Sequence, residues 1–155
     1  MRTGHRSKGW MFAMGIALML VGCGQSVQVD DHFDNSLASA AAKGSPVRLA
    51  DLTDFGWNRL LLFRESWKGS EINAAVGAHV MNDDEYQDEG RALWVFLSDS
   101  HVVRAIQTWD RWVLGDPPAP GQDVWLVPAP DDPGWLTFSP NQTGAEAPTI
   151  GPSGS

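Results

Sequence analysis

Apolar residues between positions 31 and 42 recur at the spacing of one face of an α-helix. The residues that share this face are Phe33, Leu37, Ala40 and Ala41. Asp30 or Asp31 can cap the start of such a helix, and Gly44 followed by Pro46 is typical of its end. The pattern therefore predicts a helix over residues 31–42.

Later in the chain the apolar residues form short runs that are typical of strands. The predicted strands are residues 59–63, 92–97, 101–108, 124–127 and 135–138, the last one at a sheet edge. The short turn at residues 98–100 predicts a hairpin, and a short helix is predicted over residues 71–76, with Ser70 as its N-cap and Gly77 at its end. This order predicts an α+β fold, with short helices packed on a small antiparallel sheet.

The N-terminus carries a different pattern, that of a targeting segment. Three basic residues, Arg2, Arg6 and Lys8, precede an uninterrupted apolar stretch at residues 10–20. That stretch is about half as long as a helix that crosses a hydrocarbon core of ~30 Å. It ends in Leu20-Val21-Gly22-Cys23, and Cys23 is the only cysteine in the chain.

This ending resembles the lipobox of bacterial lipoprotein precursors. The resemblance implies cleavage between Gly22 and Cys23, and a diacylglycerol thioether with palmitate-like chains on the Cys23 sulfur. The mature protein would be held on the cell membrane or the outer membrane, facing outside the cytoplasm. Two alternatives stay open: a short transmembrane anchor or buried helix, and a cleaved signal whose cysteine stays unmodified.

The domain organisation follows from these patterns. Residues 1–22 are expected to form the signal peptide, and residues 23–46 the lipidated N-terminus, tether and first helix. The α+β domain is expected at residues 47–138. Residues 139–155 are rich in Gly, Pro, Ser and Thr, which predicts a disordered tail.

The net charge of the chain excludes some classes of binding partner. The chain has a formal charge of −8, and loss of the three basic residues of the leader lowers it to −11. Nucleic-acid binding needs a basic surface, so that class is excluded. Membrane attachment is expected through the covalent lipid alone, and no cofactor is expected. The acidic stretch at residues 83–89 is interpreted as a solvated loop, with a calcium site as the alternative.

Residues 49–77 carry a second resemblance. They read Leu-Ala-Asp-Leu-Thr-Asp-Phe-Gly-Trp-Asn, then an aliphatic strand that ends at Phe63, then a short helix closed by Gly77. This stretch is similar to small uncharacterised secreted bacterial proteins and lipoproteins, in which an acid usually stands where this chain has Asn58. More distantly, the fold resembles the helix-on-sheet modules of secreted β-lactamase inhibitors and outer-membrane assembly lipoproteins, which grip other proteins. Phe55 and Trp57 are interpreted as core residues.

Trp109, Arg111 and Trp112 form the best candidate for a functional surface. Trp and Arg are enriched at binding hot spots, and the offset of three residues predicts that both rings face one side. The alternative is that both rings cover an end of the core. Other candidates are weaker: His32, His79 and His101 lack metal-ligand spacing, so no metal site is expected.

Two hydrolytic arrangements can also be drawn from the sequence. His101 lies beside the serines and Asp99 of the predicted turn, but without the nucleophile elbow that such a triad needs. Pairs among Asp51, Asp54, Glu65 and Glu71 could flank a glycosidic bond. The sequence favours a non-enzymatic, lipid-anchored envelope protein that acts through protein contacts. The alternatives are a cell-wall glycan-binding module and, less favoured, a small carboxylate-dependent hydrolase.

Overall fold

A computed structural model describes residues 26–118 and 123–141 of the chain. The predicted signal peptide, Gly22 and Cys23 lie outside these residues, and so does most of the predicted tail. The helices of the described part are α1 (Asp31–Lys43) and α2 (Gly69–Val76), with a 3₁₀ turn at Leu49–Leu52. Its strands are β1 (Gln28–Val29), β2 (Val47–Arg48), β3 (Arg59–Phe63), β4 (Arg91–Ser98), β5 (His101–Trp109), β6 (Val113–Leu114), β7 (Trp125–Pro128) and β8 (Leu136–Ser139).

These strands form two four-stranded sheets. The first sheet has the order β1-β5-β4-β3 and the second has the order β2-β7-β8-β6. Each sheet is mixed, because β1 runs parallel to β5 and β6 runs parallel to β8. The α+β class is confirmed, but the expectation of one antiparallel sheet is wrong. The strand predicted at a sheet edge, residues 135–138, lies between β7 and β6 instead.

Strand β4 is the centre of the molecule because both of its faces are buried. Side chains of a strand alternate between faces. Three of them, Ala92, Trp94 and Phe96, lie in a first core cluster with α1 and the second sheet. The alternate three, Leu93, Val95 and Leu97, lie in a second cluster with α2. The continuous apolar run in the sequence thus reflects a strand covered on both sides.

Helix α1 forms where it was predicted, one residue longer at its C-terminal end. The Asp30 carboxylate accepts a hydrogen bond from the Phe33 backbone N–H at 3.0 Å, which caps the first turn. Gly44 adopts a left-handed conformation with φ of 59°, as a C-terminal glycine does. The four apolar residues of the predicted face are all buried. Residues 28–43, which the sequence analysis placed ahead of the domain, therefore contribute a strand and a helix to the same core.

Phe96 joins the aromatic residues of the first cluster. Its ring lies 5.2 Å from those of Phe55 and Trp57, and 5.9 Å from that of Phe33, all in edge-to-face arrangements. Such pairs contribute about 0.5–1.5 kcal/mol beyond the burial of their area. Phe55 and Trp57 are half-buried against this cluster, in agreement with their interpretation as core residues.

Helix α2 covers the other face of the first sheet. It begins at Gly69 with Lys68 as its N-cap, so the prediction of Ser70 at that position is wrong, and it ends at Gly77 as expected. The Glu71 carboxylate accepts a hydrogen bond from the Lys68 backbone N–H at 3.0 Å, which satisfies a donor at the helix start. Gly69 is required by close packing, since a Cβ there would lie 1.9 Å from the Asn82 carbonyl oxygen.

Candidate contact surface

Trp109 closes strand β5 at the end of the central hairpin. Its cross-strand partner is Arg91, the first residue of β4. The Trp109 backbone N–H donates a hydrogen bond to the Asp34 carboxylate of α1 at 3.2 Å. The Asp110 N–H then donates to the Gly90 carbonyl at 2.9 Å. These bonds fix the backbone on both sides of the ring, and 44% of Trp109 remains exposed.

Two guanidinium groups lie against the Trp109 ring. The Cζ atom of Arg91 is 4.0 Å from the ring centroid, and that of Arg111 is 5.4 Å away. Arg111 also lies 4.9 Å from the centroid of the Trp112 ring. Each cation–π contact at an exposed site contributes about 0.5–1 kcal/mol. We call the four residues Arg91, Trp109, Arg111 and Trp112 the Trp109 surface.

The two indoles of this surface have different surroundings. Trp112 is half-buried and packs against the first core cluster, and its carbonyl accepts a hydrogen bond from the Leu136 N–H at 2.8 Å. Its indole Nε1 is buried without a hydrogen-bond partner. The structure thus brings Trp109, Arg111 and Trp112 together, with Trp109 outward and Trp112 against the core. Arg91 was missed by the sequence analysis because only the register of the hairpin places it there.

Arg64 holds in place the residues that follow Trp109. Its guanidinium pairs with the Asp110 carboxylate, and both side chains are largely buried. It also donates hydrogen bonds to the carbonyls of Val113 and Gly115, both at 2.9 Å. A planar guanidinium has enough donors to hold all three groups at once. The turn that carries Arg111 and Trp112 is therefore tied to the end of β3.

The hairpin residues considered for hydrolysis have a structural role. The Asp99 carboxylate accepts a hydrogen bond from the Asn58 side-chain amide at 2.8 Å, and the Asp99 N–H donates to the Asn58 Oδ1 at 2.9 Å. Asp99 has a φ of 56°, in the left-handed region. His101 and both serines are exposed. This paired contact holds the turn in its strained conformation.

The candidate carboxylates do not gather at one place. Asp51 and Asp54 share a small cavity beside the start of α1, with a volume of about 280 Å³. The Asp54 side chain is 86% exposed and lies 3.7 Å from Arg104. Glu71 caps α2 on the other side of the first sheet, and Glu65 lies near the Gly90 N–H at 3.4 Å.

The acidic stretch at residues 83–89 is tied down by amides and a lysine. Asp83 accepts a hydrogen bond from Asn73 Nδ2 at 2.8 Å, and Glu85 accepts one from Asn82 at 2.8 Å. Lys68 lies 3.8 Å from the Asp84 carboxylate. Within residues 26–118 and 123–141, no three or more His, Cys, Asp or Glu side chains come together as a metal site.

Asn73 organises this loop, and sequence reasoning missed it. Its Oδ1 accepts hydrogen bonds from the N–H groups of Val80 and Met81, at 2.8 and 3.1 Å. Its Nδ2 donates to the Met81 carbonyl at 2.6 Å. Asparagine is a poor residue for a helix interior, and its place in a short helix before Gly77 was the available signal. It stabilises the loop rather than forming a site of its own.

A groove opens between this loop and the first residues of the described chain. Its volume is about 570 Å³. The residues that line it include Ser26, Val27, Tyr86, Gln87 and Gln107. Gln87 is almost completely buried, and its Nε2 has no hydrogen-bond partner. We call this cavity the N-terminal groove.

Comparisons with known proteins give no match. A scan against protein-family models finds none for this chain. A search of curated proteins and a search of solved structures return no significant similarity either. In the part of the chain that the structure describes, no helix is long and apolar enough to cross a membrane. Function is therefore inferred from the residues themselves.

Proposed function

We propose that this protein is a lipid-anchored protein of the cell envelope, outside the cytoplasm, that acts without catalysis by binding another protein. The anchor is the covalent lipid on Cys23, which becomes the first residue of the mature protein when residues 1–22 are removed. The contact region is the Trp109 surface. The observation that carries the binding role is an exposed indole, Trp109, with the guanidinium groups of Arg91 and Arg111 against its ring.

The lipid anchor is supported by the arrangement of the N-terminal residues. A basic start, an apolar stretch of residues 10–20 and a terminal Leu-Val-Gly-Cys occur in the order of a lipoprotein precursor. Each buried CH₂ of an acyl chain contributes about 0.8 kcal/mol, so two or more chains hold a protein firmly. An acidic body gains little from anionic lipids, which leaves anchoring to the acyl chains.

The binding role is supported by the chemistry and the rigidity of the Trp109 surface. Trp and Arg are the residue types that dominate binding energy at interfaces, where single truncations cost about 2 kcal/mol or more. Trp109 is also held in place before a partner arrives, because backbone bonds and two cations fix its position. A surface that is already ordered loses less entropy on binding.

The anchor is tested with the Cys23→Ser variant. We expect the native precursor to be shortened and to incorporate radioactive palmitate, whereas the variant keeps its leader and stays unlabelled. Normal labelling of Cys23→Ser would refute lipidation at this residue. Mass spectrometry of the native protein gives the same answer independently, since the mature N-terminus should be an acylated cysteine.

The protein-binding role is tested by purification from detergent-solubilised membranes. We expect a defined partner to accompany the native protein and to be lost from Trp109→Ala and Arg111→Ala. Trp67→Ala is the matched control, because Trp67 has the same exposed fraction of 44% at another position. Equal recovery of the partner with all variants would place the contact elsewhere, and a single species without partner would contradict the proposal.

A cell-wall glycan is the alternative ligand, favoured by the exposed ring of Trp109. Retention on purified peptidoglycan separates the two possibilities. Retention by the native protein and loss with Trp109→Ala would favour the glycan. The half-buried position of Trp112 favours a protein, since it leaves one exposed ring at this surface rather than a platform of two.

A further inference from the structure

The described chain is part of the folded body from its first residues. Gln28 and Val29 pair with Ile106 and Gln107 of β5. Val27 packs against the second core cluster, on the α2 side of the first sheet. Ser26 and Val27 line the N-terminal groove. The stretch expected to act as a tether is therefore fixed to the sheet from Val27 onward.

The connection between the lipid and the folded body is therefore short, if Cys23 carries the lipid as proposed above. Cys23 precedes Ser26 by three residues. Three residues span about 10 Å when fully extended. The head-group layer of a bilayer is itself about 5–8 Å thick on each side. The side of the body where the chain enters must then lie at the membrane surface.

Exposed apolar side chains gather on that same side. Val29 is 62% exposed and its partner in the sheet, Gln107, lines the N-terminal groove. Tyr86 is 60% exposed and lines the groove as well. Trp67 lies next to it, since its carbonyl accepts a hydrogen bond from the Gln87 N–H at 2.8 Å.

We infer that this side of the protein, the N-terminal face formed by Val29, Trp67 and Tyr86, rests on the lipid head groups of the membrane that holds Cys23. Tyr and Trp are the residues that favour the head-group region, where a ring is covered and its polar atom stays wet. In that region the exposed apolar side chains are removed from water, where their exposure costs free energy. The short connection from Cys23 supplies the high local concentration that makes weak contacts effective.

Charge specifies which head groups suit this face. Two carboxylates, those of Glu85 and Asp88, line the groove, and three more, those of Asp83, Asp84 and Glu89, lie next to them in the sequence. A surface rich in anionic lipid has a negative potential and would repel them. The face is therefore suited to zwitterionic head groups.

Trp109 alternates in phase with Gln107 along β5, so its ring lies on the same side of the sheet. A partner bound at the Trp109 surface would approach from this side of the sheet.

The orientation is tested on vesicles that carry the purified lipidated protein. Lipidation occupies the only natural thiol, so an Asp84→Cys variant, at a fully exposed side chain two residues before Tyr86, offers a single site for a fluorescent donor. Asp131→Cys is the matched control, on the exposed turn between β7 and β8 in the second sheet. Phosphatidylcholine vesicles with an acceptor on a fraction of the head groups report the distance of each donor from the membrane.

We expect several-fold stronger energy transfer from position 84 than from position 131. A domain of about 100 residues has a radius of gyration near 13 Å, so opposite sides differ enough in height to be resolved. Twenty Gly and Ser residues inserted between Gln25 and Ser26 should reduce transfer from position 84. Equal transfer from the two positions without the insert, or no reduction with it, would overturn the inference.

Failure of the anchor and failure of the orientation give different results. Mass spectrometry of the same preparation establishes whether Cys23 is acylated. An unmodified thiol would refute the lipid anchor and the orientation with it. Acylated protein with equal transfer from positions 84 and 131 would refute the orientation alone and leave the anchor intact.

Discussion

The two sheets of this protein are held in place by different means. The first sheet contains the long strands β4 and β5, and β4 is buried on both faces. The second sheet consists of strands of two to four residues. Buried apolar area is the main source of stability in a domain of this size. The first sheet can thus hold its shape through burial, whereas the second depends on its contact with the first.

Polar contacts supply part of the stability that the second sheet does not gain from apolar burial. The Leu49 N–H donates to the Val124 carbonyl at 2.9 Å, which fixes the chain beside β7. The Leu136 N–H donates to the Trp112 carbonyl at 2.8 Å. Arg64, at the end of β3, bonds to the carbonyls of Val113 and Gly115. The second sheet is therefore expected to open before the first when the protein is destabilised.

The largest expected effect comes from Phe96→Ala in the first sheet. Phe96 is fully buried and contacts four other aromatic rings, so truncation should lower the free energy of unfolding by about 3–5 kcal/mol. Urea unfolding followed by tryptophan fluorescence measures this loss. Phe138→Ala, half-buried in the second sheet, is the matched control and should cost clearly less. An equal loss at both positions would contradict the difference between the sheets.

The next largest effect is expected from Gly69→Ala, which disturbs the packing of α2 on the first sheet. The added Cβ meets the backbone oxygen of Asn82, and backbone cannot move aside as a side chain can. We expect a loss of about 3 kcal/mol, the upper range for added bulk in a packed site. Gly77→Ala has open space and only an unfavourable φ of 79°, so it should cost about 1 kcal/mol. The reverse order in urea unfolding would show that α2 is loosely packed.

The sequence predicts the first sheet better than the second, for a physical reason. Helix α1 is long enough for its apolar residues to show a period, and local hydrogen bonds cap it, whereas β4 is long enough to be recognised as a continuous apolar run. Strands β2 and β6 have two residues each, too few for any pattern. The residues predicted as an edge strand lie inside the second sheet because β6 joins them in parallel, a contact between distant parts of the chain.

For the Trp109 surface, the sequence likewise predicts only the contacts that follow from local spacing. The spacing of Trp109 and Trp112 predicted that the two rings are near each other, and Arg111 does contact both. The exposure of one ring and the burial of the other depend on the second sheet, which the spacing does not contain. Arg91 reaches Trp109 through hairpin register, and Arg64 reaches Asp110, the residue after Trp109, through the tertiary fold.

A smaller effect, confined to the second sheet, is expected from Arg64→Gln. The variant loses the pair with Asp110 and the hydrogen bonds to two carbonyls, which should cost about 2 kcal/mol. Hydrogen exchange should accelerate at Leu114 and Leu136 and remain slow at Val95. Uniform acceleration across both sheets would contradict a second sheet that opens separately.

Arg48→Gln is the matched control for that variant. Arg48 also bridges to a carboxylate, Asp123, at 2.6 Å, but both side chains are well exposed. The hydrogen bond and the charge of Asp123 raise the pKa of the Arg48 guanidinium above its usual value, so the residue stays charged at any pH of interest. Exposed pairs contribute little to stability because water screens them. Exchange in the second sheet should therefore change less than with Arg64→Gln.

The smallest effect is expected from Asn58→Ala at the hairpin turn of the first sheet. The variant loses two hydrogen bonds to Asp99, and we expect a cost of about 1 kcal/mol because the turn is exposed and the strands beside it are held by burial. Ser100→Ala in the same turn is the control and should change the free energy of unfolding by less than about 0.5 kcal/mol. Asn58→Asp should be worse than Asn58→Ala, since it places a second carboxylate against Asp99, and its loss should shrink with added salt. If Asn58→Ala cost as much as Arg64→Gln, polar contacts would matter equally in both sheets, and burial would no longer explain why the first sheet is the more stable one.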